Sequence, residues 1–351
     1  MIVDRFNGHD LTAAKRLSSR IETGFRLLGS ILILFVMLCG GRANAEEDAP
    51  SPVARYIQER VTARQDDRQF TCQGELICGI ALIPDFYAAR DFKPAWSTPQ
   101  GPNAQARALL EEISRVGDEG LSPEDYHFGR LQAMTTQLVS AGPDATPAAL
   151  GRRADFDLLM TDAVFLLGAH LLGGRVNPET IHASWDAFSH EVDLVRLLND
   201  GLQGGRMAHL IQGLHPPYTG YTGLRRALID YRRMAAAGGW PQLEDGPSLH
   251  VGDETPLVAR LRERLVASGD LEVTPVLIPN TFDETLEAAV KAFQHRHGLE
   301  ADGVVGKKTR QVLNVPVDQR IQQLLINMER WRWIPNDLGS RYLVVNIADF
   351  N

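Results

Sequence analysis

The sequence predicts a mainly α protein: a large helical region, a compact three-helix unit after it, and one C-terminal strand with no partner of its own. Apolar residues recur at three- and four-residue spacing along most of the chain, and Gly pairs and Pro punctuate that pattern at helix-length intervals. The one clear strand pattern is RYLVVNI at the C-terminus. At 351 residues the chain has the length of two or three domains. With 44% hydrophobic and 23% charged residues it has the composition of an ordinary globular protein, not of a disordered, collagen-like or multi-span membrane chain.

The first 45 residues have the pattern of a targeting segment. Arg16, Arg20 and Arg26 precede an apolar run that ends before Arg42, and Ala43-Asn44-Ala45 follows with small residues where a signal peptidase reads. The run has 15 residues between Arg26 and Arg42, short of the roughly 20 that cross a bilayer. Export with cleavage after Ala45 is the expectation, which places the mature chain in the periplasm. An uncleaved signal anchor is the competing reading, and it is the only membrane attachment expected.

Charge excludes another class of partner. The whole chain carries −8, and residues 46–351 keep 30 basic and 41 acidic residues, a net −11. Phosphate backbones are bound by clustered Lys and Arg, so no nucleic-acid partner is expected. Cys72 and Cys78 remain after the signal, and in an oxidising compartment they could close a small disulfide loop; two free thiols are the alternative. The surrounding TCQGELICGI shows no partner for a nucleophile or a metal.

After a polar leader at 46–52, the region to about residue 245 reads as helices. Asn103 to Val116 places Ala106, Leu109, Leu110 and Ile113 at helical spacing, with Gly117, Gly120 and Pro123 as stop signals. Phe156 to Leu172 is a long apolar helix with Leu159, Ala163, Leu166, Leu167 and Leu171 on one face, closed by Gly173-Gly174. Leu224 to Ala237 repeats the pattern and ends at Gly238-Gly239. His170, on the apolar face, reads as a hydrogen-bonded core histidine, since no carboxylate lies three or four residues on. His209 and His215 carry no stronger signal. Trp96, Trp185 and Trp240 read as core or loop-clamping residues, with sugar stacking as the alternative.

GGWPQLEDG, from Gly238 to Gly246, reads as a domain boundary. Beyond it, Leu257, Leu261 and Leu265 line one helix, with Thr255 able to cap it and Pro256 suited to its first turn. Leu286, Ala289, Val290 and Phe293 line a second. Gly298 ends that helix, Asp302-Gly303 makes a tight turn, and Gly306 leads into a last short helix. His295 and His297 point to different sides of their helix, which argues against a metal site; no metal or cofactor is expected.

The string Leu257, Leu261, Leu265, Asp283, Thr285, Ala289-Val290, Phe293-Gln294, Gly298-Leu299, Asp302-Gly303, Gly306 and Thr309 resembles the peptidoglycan-binding type 1 domain, over residues 251–316. The resemblance implies peptidoglycan as partner and ligand contact on loops and helix ends near the turn, with Gln294 and Asp302 as candidate ligand-binding residues. FKPAW at 92–96, GLSPEDYH at 120–127, GGRVNP at 173–178, YRRMAAAGGWP at 231–241 and the segment from Arg320 onward resemble the YcbB-type periplasmic murein L,D-transpeptidases. That resemblance implies a signal peptide at 1–45, a helical scaffold domain at 46–245, the peptidoglycan-binding domain at 246–316, and at 317–351 a linker helix and the first strand of a catalytic domain.

In that family a cysteine thiolate in a Ser-His-Gly-Cys segment attacks the stem peptide to form a thioester, which an acceptor amine resolves. These 351 residues hold no such segment and no cysteine after Cys78, so no catalytic residue is assigned. The expectation is the peptidoglycan-binding and scaffold portion of such an enzyme, inactive as it stands. An active transpeptidase whose chain continues past Asn351 and a non-catalytic wall-binding protein are the alternatives. A zinc amidase carrying the same module is a weaker third, because no His-rich ligand set is present.

Overall fold

The computed structural model describes residues 2–4, 51–63, 70–181, 192–273, 277–338, 341 and 343–345. The elements run β1 (Ile2–Asp4), α1 (Pro52–Thr62), β2 (Phe70–Cys72), β3 (Glu75–Ile77), α2 (Ile83–Ala88), β4 (Ser97–Thr98), β5 (Gly101–Pro102), α3 (Ala104–Ser114), α4 (Phe128–Ala141), α5 (Pro147–Gly173), α6 (Leu194–Gln203), α7 (Met207–Gly213), α8 (Thr219–Ala236), α9 (Pro256–Ala267), α10 (Glu284–Arg296), α11 (Lys307–Leu313), α12 (Val317–Arg332) and β6 (Leu343–Val345). The mainly α expectation holds, and among the described residues the strands form two-stranded pairs.

α5 organises the first core. Thr146 caps it by accepting from the Ala149 N–H, and Pro147 sits in its first turn. Its residues are buried on nearly every side, so the single apolar face expected from the sequence is instead a helix enclosed around its whole circumference. Phe156, Leu159, Met160, Ala163 and Leu167 are packed there with Ile57 of α1, Phe86 and Tyr87 of α2, Leu109 of α3, Leu131 of α4 and Ile211 of α7. The helix starts nine residues before Phe156, because Arg152, Arg153 and Asp155 interrupt the apolar run without breaking the helix.

β2 and β3 form an antiparallel hairpin in which Cys72 lies opposite Glu75. Cys78 follows the far end of β3, three residues from that position, which is roughly 10 Å along the strand. A disulfide needs Cα atoms within about 7 Å. The structure accordingly has two separate thiols, Cys72 buried and Cys78 exposed, where the sequence suggested a bridge. The C-terminal strand is present, but it is not an orphan: Leu343–Val345 pairs antiparallel with Ile2–Asp4. The pairing satisfies backbone groups that a lone strand would leave open. Trp185, residues 46–50 of the polar leader and nearly all of residues 1–45 fall outside the described residues, while Pro52, counted in the leader, opens α1.

α8 does not join the first core. It packs against α12, with Tyr221, Leu228 and Met328 buried between them and Leu224, Ile321, Leu325 and Trp331 around the seam. The third core belongs to residues 243–313, where Leu249, Val258, Leu261, Leu265, Phe282, Leu286, Val290, Phe293, Val305 and Leu313 are buried together. Thr255 and Asp283 cap α9 and α10, and Asp283 also pairs with Arg262, joining the two helices at one end.

Candidate functional site

The turn between α10 and α11 is built around one buried amide. Gln294 is 1% exposed. Its Nε2 donates to Asp302 Oδ1 at 2.8 Å, the Val304 carbonyl at 3.0 Å and Thr309 Oγ1 at 3.1 Å, while its Oε1 accepts the Gly303 N–H at 2.9 Å. Gly303 takes φ +79° there, a backbone conformation that suits glycine. Asp302 also accepts the Val304 N–H at 2.8 Å; this bond, then the one from Gln294, holds its carboxyl below the usual carboxylate range. The structure thus brings Gln294 and Asp302 together, but Gln294 spends its amide on the turn. Asp302, exposed at the rim, is the one of the pair left facing solvent.

Where this unit meets α8, cations gather on aromatic faces. The Arg264 guanidinium lies 4.1 Å from the centre of the Trp240 ring and 5.9 Å from that of Phe293. Trp240 Nε1 donates to the Val315 carbonyl at 3.0 Å, so this tryptophan clamps the interdomain loop. Arg264 Nε donates to the Leu313 carbonyl at 2.7 Å, and burial lowers its pKa to about 10. Arg296 pairs with Asp270 and donates to Tyr231 Oη at 3.2 Å. His297 is pushed down to about 4 by burial first, then by Arg320, Arg296 and Arg264, so it is neutral and packs on Phe293. It is poorly placed to join His295 at a metal. Among the described residues no group of three or more His, Cys, Asp or Glu could hold a metal ion.

The first core contains a polar ladder that the sequence reading missed. Asp157, fully buried, accepts from the Ala95 N–H at 2.5 Å, the Trp96 N–H at 3.0 Å and Ser97 Oγ at 2.5 Å. Burial raises its carboxyl to about 6 against the pull of those three bonds. Thr161, one turn on, accepts from Trp96 Nε1 at 2.9 Å, shares a 2.9 Å bond with Tyr87 Oη and donates to the Asp157 carbonyl. Trp96 is therefore a core residue. Asp162 accepts from the Cys78 and Gly79 N–H groups and from His127 Nε2 at 2.7 Å, while His127 Nδ1 meets Glu75 at 3.1 Å. Burial and then Asp162 raise the Cys78 thiol pKa, which keeps it protonated and a weak nucleophile. The signal for this ladder was three acids, Asp155, Asp157 and Asp162, inside an otherwise apolar helix. His170, half-buried near the end of α5, shares a 3.0 Å hydrogen bond with Tyr126 Oη.

A second network ties α12 to the first core. Buried Glu119 accepts from Tyr221 Oη at 2.6 Å and pairs with Arg225 of α8. Arg332, at the end of α12, donates to the Glu119 carbonyl, to Tyr221 Oη at 3.1 Å and to Glu329 at 3.0 Å. Glu329 in turn accepts the N–H groups of Arg175 and Val176 in the loop after α5. The segment leading out of the unit that holds the third core is thereby fastened to the helical region.

Comparison with known families follows this division. The Scaffold domain family matches residues 81–228, and the family described as a putative peptidoglycan binding domain matches residues 254–313. The N-acetylmuramoyl-L-alanine amidase CwlM of Mycobacterium tuberculosis is 38% identical over 80 residues, which is 21% of this chain and 20% of that protein. The chain spans about a fifth of that relative's length. Among the described residues no catalytic domain is seen. A Scaffold domain followed by a peptidoglycan-binding domain is the architecture of the YcbB-type murein L,D-transpeptidases, and this chain has it.

Proposed function

We propose that the chain is the wall-binding and scaffold portion of an exported murein L,D-transpeptidase, working in the periplasm on cell-wall cross-linking. The unit at 246–316 grips peptidoglycan. The helical region at 46–245, locked to α12, sets the position of whatever α12 leads into. The observation that carries this reading is the pairing of a complete wall-binding unit, with its own core and caps, with a linker helix fixed at Arg332 and Glu329. A tether needs a ligand-binding end and a rigid end, and the chain supplies both. Asp302 remains the proposed ligand contact at the rim of the turn; the acyl-transfer step itself is assigned to no residue here.

Sedimentation with purified sacculi tests the reading. The full chain should pellet with the sacculi, and a chain stopped after Asp245 should stay in the supernatant. A full chain that remains soluble beside sacculi contradicts peptidoglycan binding.

A further inference from the structure

A cavity of about 740 Å³ lies between α8 and the wall-binding unit, lined by Asp230, Tyr231, Arg233 and Met234 on one side and by Ser268 and Arg296 on the other. Its size falls in the range of sites that enclose small ligands. None of its lining residues belongs to the α8–α12 seam or to the third core. The turn at Gln294 and Asp302 contributes nothing to its lining.

The charge around this cavity runs against that of the molecule. The chain carries −8, yet α8 has four arginines and one aspartate in its 18 residues. Arg233 and Arg296 line the cavity. Arg264, one turn before Ser268 on α9, is 2% exposed, and its Nη1 is buried with no hydrogen-bond partner. Arg320 adds a fourth guanidinium close enough to act on Arg264. Two carboxylates offset these four cations. Asp270 has both oxygens engaged, by Arg296 and by Ser268 Oγ at 2.5 Å, and Asp230 is paired with Arg233 at 3.2 Å on the exposed side. Arg264 and Arg320 do not line the cavity, but they add positive charge behind it, and a basic site in an acidic protein draws anions to it. Tyr231 and Met234 supply apolar surface beside the cations.

Peptidoglycan offers two chemistries, neutral N-acetylated sugar strands and short stem peptides that bear free carboxylates. The geometry points to this cavity as a second peptidoglycan subsite, one that takes a carboxylate-bearing stem peptide between α8 and the wall-binding unit. The inference rests on the proposed function and deepens it. The glycan would be read elsewhere on the unit, and the peptide would be held at the joint with the helical region. Arginine suits this role because its planar fork meets a carboxylate with two parallel hydrogen bonds.

Titration calorimetry on the full chain tests it with three probes: a synthetic stem tetrapeptide with free carboxylates, the same peptide with its carboxylates amidated, and an N-acetylglucosamine tetramer. The free peptide should bind, and the amidated one should bind at least tenfold more weakly. Arg233→Glu and Arg296→Gln should each weaken the free peptide at least tenfold, and added salt should weaken it further. Arg233 is the decisive position, since its side chain is 73% exposed and its replacement leaves both cores intact; an unchanged circular-dichroism melt confirms that the variant is folded. Equal binding of the free and amidated peptides, no binding of the free peptide, or full affinity in Arg233→Glu overturns the inference. Sacculus sedimentation of the same protein separates the two ideas. A chain that pellets but ignores the peptide loses only this subsite, and a chain that does neither loses the proposed function as well.

Discussion

His127 shows how a single residue couples the scaffold to pH. Its backbone takes φ +58°, and each ring nitrogen faces a carboxylate, Asp162 on one side and Glu75 on the other. Both contacts are satisfied together only when both nitrogens carry protons. Burial works to lower the His127 pKa, but the hydrogen bonds and charges of Asp162 and Glu75 outweigh it, and the net shift is upward. A histidine whose folded pKa is raised contributes stability that is complete below its unfolded value and is lost as pH rises through the folded value. The thermal midpoint should therefore fall as pH rises above about 6.5, the ordinary histidine value. Asp157, raised to about 6, acts with the same sign at lower pH, so the test compares variants. His127→Asn, which tolerates the left-handed backbone, should flatten the pH dependence above about 6.5. A wild-type midpoint that is flat or rises in that window would count against the imidazolium clamp. Nothing in the local sequence GLSPEDYHF announced this role, because the partners of His127 lie 35 and 52 positions away.

At the level of elements, the seam between α8 and α12 depends on one close approach. A Cβ placed on Gly220 would lie 2.4 Å from Trp331 Cζ2, well inside contact distance. Trp331 has little room to retreat, because its ring lies against that of Tyr218, tilted by 37° with centroids 5.3 Å apart. Ala is the better helix former by about 1 kcal/mol in a helix interior, but Gly220 is the second residue of α8, where that preference counts for less. Overpacking costs about 1–3 kcal/mol, so the clash should win. Gly220→Ala is expected to lower stability by about that amount in urea titration, whereas Gly223→Ala on the same helix, with nothing within 4 Å, should be neutral or mildly stabilising. Equal effects from the two would remove the special status of the seam. Helix bodies of this kind were legible in the sequence: Leu224 and Leu228 on α8, and Met328 and Trp331 on α12, stand at helical spacing, and Thr255, Asp283, Gly298 and Gly303 mark ends and turns that the structure reproduces. Which helix joined which core was not legible. α8 looked like another member of the first helical layer, and its apolar face is too narrow to reveal that its partner lies about a hundred residues on.

For the whole molecule, the wall-binding unit was readable because its core, caps and turn are local within some 65 residues. The polar ladder of α5 and the basic joint cavity were not, because each is assembled from segments far apart in sequence. The same separation of cores predicts how the protein responds to loss of its first 45 residues. Among the described residues no member of any of the three cores precedes Val53. The one described contact made upstream is the pairing of Ile2–Asp4 with Leu343–Val345, three residues on each strand. An isolated two-stranded pair is marginal in water, so its removal should leave the folding of α1 to α12 unaffected. A chain beginning at Glu46 should melt within about 2 °C of the full chain, since a shift of that size corresponds to no more than about 0.5–1 kcal/mol for domains of 150–250 residues. It should also expose the backbone of Leu343–Val345 to rapid amide exchange while α5, enclosed on all sides, stays protected. A drop of ten degrees or more, or lost protection in α5, would place the N-terminal segment within the fold and not ahead of it.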